Sequence, residues 1–354
     1  MDLYFSDKYI EDVAKTAASY NWDKLNNKSV AISGGTGMIG SYLVDVLLYR
    51  NEQFDANTDI YIFGRSKSKA SDRFNRYLNS KRFHFIEQDI NRTIDDNDIK
   101  HIDYVIHAAS NTHPVAYAND PIGTISANVI GTSNLLEWAD KMSCERFVFL
   151  SSVEIYGENR GDVEKFDESY LGYIDCNTMR AGYPESKRTG EALCQAYRKQ
   201  KGMDIVIPRL SRVYGPTMLM SDTKALSQFI LKGVNGDNII LKSEGTQKFS
   251  YSYVADAVTG ILSIMLNGVD GEAYNVASKS SDLTLKELAQ ILADIGNSKV
   301  IFELPDVVEA AGYSKATKAM LDISKIYGIG WQSQYDMANG LQKTVDILRE
   351  IKQS

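Results

Sequence analysis

Long apolar runs are missing from this chain. No stretch of about 18 apolar residues occurs, so no segment is expected to cross a membrane as a helix. Cysteine is scarce. Cys144, Cys176 and Cys194 are an odd number without metal-ligand spacing, which argues against a disulfide framework and for a reducing compartment. Histidine is scarcer than its roles would need: His84, His101, His107 and His113 show no ligand spacing, so no metal is expected. A surplus of positive charge is also lacking. With 39 Lys and Arg against 46 Asp and Glu, the formal charge is −7. Nucleic acid and anionic membranes would both repel such a surface. The opening MDLYFSDKYIEDV has neither the basic nor the apolar region of a signal peptide. A cytoplasmic location is the expectation.

What is present is a globular composition, 44% apolar and 24% charged over 354 residues. That length suits one large domain with a smaller one attached. In residues 1–28, Ile10, Val13, Ala14 and Ala17 fall at helical spacing and predict a helical extension. From residue 29, short apolar strands alternate with helical stretches: SVAIS (29–33), DIYIF (59–63), FHFIE (83–87), DYVIH (103–107), RFVFL (146–150) and DIVIP (204–208). Such strands imply an α/β fold, a doubly wound parallel sheet of Rossmann type over 29–208. After 208 the rhythm breaks. Strands at 238–241 and 272–276 mix with helices at 224–233, 284–295 and 336–350, predicting a smaller C-terminal α/β lobe over 209–354. No linker separates the two, so the chain is free to cross back.

Directly after the first strand comes Gly34-Gly35-Thr36-Gly37-Met38-Ile39-Gly40, spaced G-x-x-G-x-x-G. The first glycine permits a tight turn, the second a close approach of backbone to pyrophosphate, the third close helix–sheet packing. The helix N-terminus adds free N–H groups and a positive dipole. A dinucleotide is therefore expected here, either NAD or NADP. No carboxylate ends the second strand; Arg65, with Ser66 or Lys67, would suit the 2′-phosphate of NADP, the alternative being solvated loop charges. Asp89-Ile90, after the third strand, stands where an adenine edge is read, although Asp89 would also serve as a helix cap.

Tyr183 and Lys187 form Y-x-x-x-K, and a helix starting near Pro184 puts both on one face. A phenol is a poor base at neutral pH; a neighbouring ammonium and a positive nicotinamide ring would both favour its phenolate. Ser151 and Ser152 stand at the carboxyl end of the fifth strand, the edge where open α/β sheets bind ligands.

With these motifs the chain resembles the extended short-chain dehydrogenase/reductases, the nucleotide-sugar epimerase/dehydratase family, from about residue 28 to the end. HAAS (107–110), Asn128-x-x-Gly131-Thr132, PRLSRVYGP (208–216), YVAD (253–256), EAYNVAS (272–278) and the stretch 321–344 carry the rest of the likeness. The resemblance implies oxidation of a nucleotide-activated sugar at C4, chemistry on the 4-keto sugar, and return of the hydride. It implies Ser152 as the catalytic hydroxyl, Tyr183 as base and Lys187 as its partner. Ala108, Ala109 and Pro208 would line the cofactor, and Ser110, Arg209, Arg212 and Lys248 the substrate. An epimerase in surface polysaccharide or glycoconjugate precursor synthesis is the leading expectation. The alternatives are a 4,6-dehydratase or UDP-glucuronate decarboxylase, an NADPH-dependent keto-sugar reductase, and a non-catalytic cofactor sensor.

Glu154 resembles the Glu of the T-x-E-x-Y-G motif in dehydratases and decarboxylases, and would move a proton at C5 or assist oxidation. Val153 replaces the Asp of dehydratases that carry an Asp-Glu pair; the resemblance to GDP-mannose dehydratases, which lack that Asp too and use NADP, stays open. Arg180, Tyr183, Lys187 and Arg188 match R-x-x-Y-x-x-x-K-R of the decarboxylases, whose later Arg has no counterpart around 318–321. Phe249-Ser250 replaces the Arg-Asp that precedes Y-V-x-D in relatives, where the Arg grips the diphosphate. Arg212 replaces an Asn, so Arg212 with Lys248 is expected to supply the missing phosphate contact. Relatives pair as homodimers through helices matching 121–141 and 183–200. Leu135, Leu136, Trp138, Ala139, Leu193, Ala196 and Tyr197 offer apolar area for that, or for burial within the monomer.

Overall fold

The strand Ser29–Ser33, β1, is buried along its whole length. A strand without a wet face needs cover on both sides, which parallel strands with crossover helices provide. The computed structural model describes residues 2–94, 99–110, 119–303 and 317–353. Its central sheet contains β1, β2 (Asp59–Gly64), β3 (Phe83–Glu87), β4 (Tyr104–His107), β5 (Arg146–Phe149), β6 (Ile205–Leu210) and β7 (Ala273–Val276). Their order is β3-β2-β1-β4-β5-β6-β7 and every pairing is parallel. This is the Rossmann arrangement predicted from the strand rhythm. Between β1 and β4 the winding reverses, and a crevice at the carboxyl edge follows from that reversal.

The stretch 272–276, read from sequence as part of the second lobe, supplies β7 on the edge of the main sheet. Tyr274 and Asn275 there stand opposite Pro208 and Arg209. The chain thus crosses back. Helix α1 (Asp7–Ala18) precedes the sheet, and α2 (Met38–Gln53) follows the glycine turn. α3 (Pro121–Lys141) and α4 (Gly182–Lys201) lie side by side on one face. Among the described residues, α5 (Ala225–Asn235), α6 (Val254–Asn267), α7 (Leu285–Gly296) and α8 (Met337–Gln353) are the remaining long helices. A Thr284–Glu287 capping box starts α7. Small paired strands lie outside the central sheet, including Arg212–Tyr214 with Tyr251–Tyr253, and Lys248–Phe249 with Leu283–Thr284.

Two sequence readings shift once packing is seen. α1 buries Tyr9, Asp12, Val13, Thr16 and Ala17, so its inner stripe is partly polar and Ile10 and Ala14 sit at its margin. Leu135, Leu136, Trp138 and Ala139 belong to the core cluster under α3, among β4, β5 and α4 residues. They are closed to a second subunit. The apolar residues that α3 leaves exposed are Ile122, Ile125 and Ile130, with Ala196 exposed on α4.

Candidate active site

β1 runs straight into the glycine turn. Gly34 adopts φ +75°, and a Cβ there would stand 2.7 Å from the amide nitrogen of Ala109. A Cβ on Gly40 would stand 2.3 Å from the carbonyl oxygen of Gly34. Only hydrogen fits at either place. The residue capping α2 is Gly37, which brings no side chain to satisfy the helix's first amides. Backbone N–H groups, a helix dipole and no side chain over them make a cradle that fits a pyrophosphate. Thr36 lies within this turn, Met38 and Ile39 open α2, and Thr217 donates its hydroxyl to Met38's carbonyl at 2.8 Å.

The HAAS segment closes against the same turn. Ala108 donates its amide to Ser33's carbonyl at 3.1 Å, and Ala109 donates to Ser33 Oγ at 3.3 Å. Beneath them His107 is fully buried, its Nδ1 2.7 Å from Ser33 Oγ and its Nε2 3.0 Å from Thr132 Oγ1. Thr132 spends its proton on the carbonyl of Asn128. His107 therefore donates from Nε2 and accepts at Nδ1, a neutral ring. Burial, followed by the charge of Lys187, holds its pKa well below the ordinary histidine value. It serves as structure. His84 and His101 lean on Asp59 and Asp103, His113 lies outside the described residues, and among those residues no His, Cys, Asp and Glu group could hold a metal.

Successive strand residues point to opposite faces, and this separates the two serines. Ser151 donates to Glu191 at 2.6 Å, whereas Ser152 faces Tyr183, near enough to act on its phenol. Ser152 Oγ also accepts the amide of Glu154 at 3.2 Å. Tyr183 and Lys187 rise from one face of α4, both buried. Burial pushes the Tyr183 phenol up to about 12; the Ser152 hydrogen bond opposes the rise and the Glu154 charge adds to it. Burial also pulls Lys187 down to about 8, against the nearby Cys194 and Glu191. Its ammonium donates to Leu150's carbonyl at 2.9 Å and lies over the Phe149 ring. Burial is the largest influence on the phenol; the Lys187 ammonium and a positive nicotinamide ring, expected together, would oppose it.

Arg209 lies at the inner side. Its guanidinium forks onto Glu191 at 2.7 and 3.0 Å, and also reaches the hydroxyl of Tyr156 and the carbonyl of Glu168. Pro208 is buried in β6, where pairing passes from β5 to Ser151–Ser152. Arg65 is exposed at the end of β2, and Ser66 caps the short helix Lys67–Arg73. Asp89 accepts the amide of Asn91 at 3.0 Å in a local turn, and Ile90 is buried beside α3.

Arg212 and Glu154 come together, 3.8 Å apart. Lys248 does not join them. It neighbours Phe249, which lies under Arg212, and so points to the other face, where its charge acts on Glu287. Sequence reasoning missed Lys224, which stands within range of both Arg212 and Glu154. It also assigned no role to a buried relay under the site. Ser110 donates to Asn128 at 2.7 Å, Asn128 to Ser186 at 2.9 Å, and Ser186 to the carbonyl of Tyr183 at 2.8 Å. Asn128 in the Asn128-x-x-Gly131-Thr132 element, a buried amide on α3, was the signal available for it.

Residues 30–277, more than half of the chain, match the NAD dependent epimerase/dehydratase family. UDP-glucuronic acid decarboxylase 5 of Arabidopsis thaliana is 30% identical over 89% of this chain and 88% of its own. UDP-glucuronic acid decarboxylase 1 of Xenopus tropicalis is 27% identical over 92% of this chain and 73% of its own. Among solved structures, UDP-glucose 4-epimerase of Thermotoga maritima superposes with a TM-score of 0.76 at 23% identity, covering 92% of this chain and 99% of that one. The dTDP-glucose 4,6-dehydratase DesIV of Streptomyces venezuelae, solved with NAD, gives 0.76 at 24% identity, covering 92% and 98%. With the glycine cradle, the strand-end serine and the tyrosine–lysine pair in their expected elements, this chain belongs to the NAD dependent epimerase/dehydratase family.

Proposed function

We propose that this enzyme oxidises a nucleotide-activated sugar at C4 and returns the hydride to the rearranged 4-keto sugar, as an epimerase or related isomerase. The observation that carries this is Ser152 at the sheet's carboxyl edge, near enough to the buried Tyr183 to act on its phenol, with Lys187 one turn further along α4. Ser152 holds the sugar's O4. Tyr183 takes the O4 proton and later gives it back. Lys187, anchored on Leu150, holds the ribose of the dinucleotide. A bound oxidised nicotinamide supplies the hydride acceptor and a positive charge that favours the phenolate. Glu154, on the turn after Ser152, is placed to move a second proton on the keto sugar.

A second reading, decarboxylation of a uronate, is favoured by the relatives at 27–30% identity and by Glu154. In both readings the 4-keto sugar is the reactive species. Arg65 favours the 2′-phosphate of NADP, and the exposed isoleucines of α3 beside α4 favour a homodimer. The purified enzyme, incubated with UDP-glucose and UDP-glucuronate, separates the outcomes by product mass. Unchanged mass with altered stereochemistry supports epimerisation. Loss of carbon dioxide supports the second reading, and loss of water means dehydration. Consumption of NADPH in proportion to product would overturn both readings in favour of a reductase. Mass spectrometry of the dinucleotide released on denaturation decides NAD against NADP.

A further inference from the structure

Arg212 begins the strand Arg212–Tyr214, and its guanidinium carbon lies 3.6 Å from the centre of the Phe249 ring. A guanidinium laid on an aromatic face keeps its N–H donors, which lie in its plane, for another partner. Those donors are not used up. Nε is buried and has no hydrogen-bond partner. Nη2 stands 3.8 Å from Glu154, beyond hydrogen-bonding distance. The hydroxyl of Tyr251, directly across the strand pair from Arg212, is likewise buried and unpartnered. A second cation belongs to the same neighbourhood. Lys224 stands 3.8 Å from Asp222, and Arg212 and Glu154 are both near enough to act on its ammonium. Like charges within range of each other repel unless an anion offsets them. Here Glu154 and Asp222 answer them only at salt-bridge distance.

We infer that Arg212 and Lys224 form a clamp for an oxyanion of the substrate, and that Glu154 competes with that oxyanion for Arg212. The ligand chemistry is a pair of anionic oxygens, from either a phosphate of the nucleotide diphosphate or a carboxylate on the sugar. A planar guanidinium binds either in bidentate fashion. The clamp deepens the nucleotide-sugar reading and rests on it. It also gives Glu154 two states, paired to Arg212 before the substrate binds and released toward the sugar afterwards. Anion binding and proton transfer are thereby coupled through one guanidinium.

The test is calorimetric binding of UDP, UDP-glucose and UDP-glucuronate to the full chain and to Arg212→Gln, Arg212→Lys, Lys224→Gln, Glu154→Gln and the Arg212→Gln/Glu154→Gln pair. Arg212→Gln is expected to weaken binding about tenfold or more, and Arg212→Lys, which keeps charge without the fork, by less. Equal losses for all three probes identify the phosphate; a loss confined to UDP-glucuronate identifies the carboxylate. Glu154→Gln is expected to tighten binding several-fold, and to do so only while Arg212 is present. Unchanged affinity in folded Arg212→Gln overturns the clamp. Tightening by Glu154→Gln in the absence of Arg212 overturns the competition. If the wild-type chain binds none of these probes, the nucleotide-sugar reading fails. Inorganic pyrophosphate then decides the clamp alone: Arg212-dependent binding supports it and absence of binding refutes it.

Discussion

Lys187 donates its ammonium to the carbonyl of Leu150 at 2.9 Å, across the ring of Phe149. One side chain of α4 thus pins the carboxyl end of β5 beside the strand-end serines. Burial is what costs this lysine, pulling it from the ordinary 10.5 to about 8. Below about pH 8 it is charged both folded and unfolded, and the folded state bears the full penalty, about 3 kcal/mol. Between pH 8 and 10.5 the unfolded chain holds more protons, so stability from this group rises with pH. Lys187→Met is expected to lose activity, to be more stable than wild type near neutral pH, and to lack that rise. Urea unfolding of both proteins at about pH 7 and about pH 9.5 checks the sign. A variant less stable at the lower pH would show that the Leu150 contact outweighs desolvation.

Tyr183→Phe removes one oxygen from a buried ring whose phenol Ser152 acts on. Turnover is expected to fall by about 10²–10⁴, the usual worth of a positioned acid–base group. Substrate affinity is expected to stay within a few-fold. Single-turnover kinetics with titrated substrate reads both. Comparable losses in affinity and turnover would mean the hydroxyl binds rather than transfers protons.

Gly40→Ala places a methyl 2.3 Å from Gly34's carbonyl oxygen, backbone that cannot swing away. The turn and α2 must separate, at a cost of roughly 1–3 kcal/mol in stability. Dinucleotide affinity should fall with it. Fluorescence titration with NAD and NADP, beside a thermal melt, measures both losses. Normal affinity would place the dinucleotide away from this turn.

Asp12 is fully buried in α1 and accepts hydroxyls from Tyr42 at 2.8 Å, Tyr253 at 2.6 Å and Tyr335 at 2.9 Å, with Lys343 at 3.4 Å. One carboxylate therefore ties α1 to α2, to the start of α6 and to α8. Asp12→Ala strands these partners and is expected to cost about 3–5 kcal/mol. Hydrogen exchange should show α1 losing protection first. Uniform loss across the sheet would mean α1 is not a separable unit.

The strands, their parallel order and the glycine turn were legible because each is a local pattern: apolar runs, spacing of helices, three glycines at fixed intervals. Tyr183 and Lys187 were legible for the same reason, being one helical turn apart. The helix stripes were less so. Trp138 and its neighbours read equally well as core or as an interface, since apolar character says nothing of what covers it. The choice between Ser151 and Ser152 came from resemblance; only the strand's pleat shows that the two hydroxyls face different partners.

By itself the sequence determined the Rossmann sheet, the dinucleotide cradle and the tyrosine–lysine pair, because backbone geometry and short spacings enforce them. Tertiary structure alone decided that Lys224 comes within range of Arg212 and Glu154 while Lys248 acts on Glu287, that β7 returns to the main sheet, and that burial shifts Tyr183 and Lys187. Those depend on which distant segments meet and on how much water is shut out, quantities that no local pattern of residues encodes.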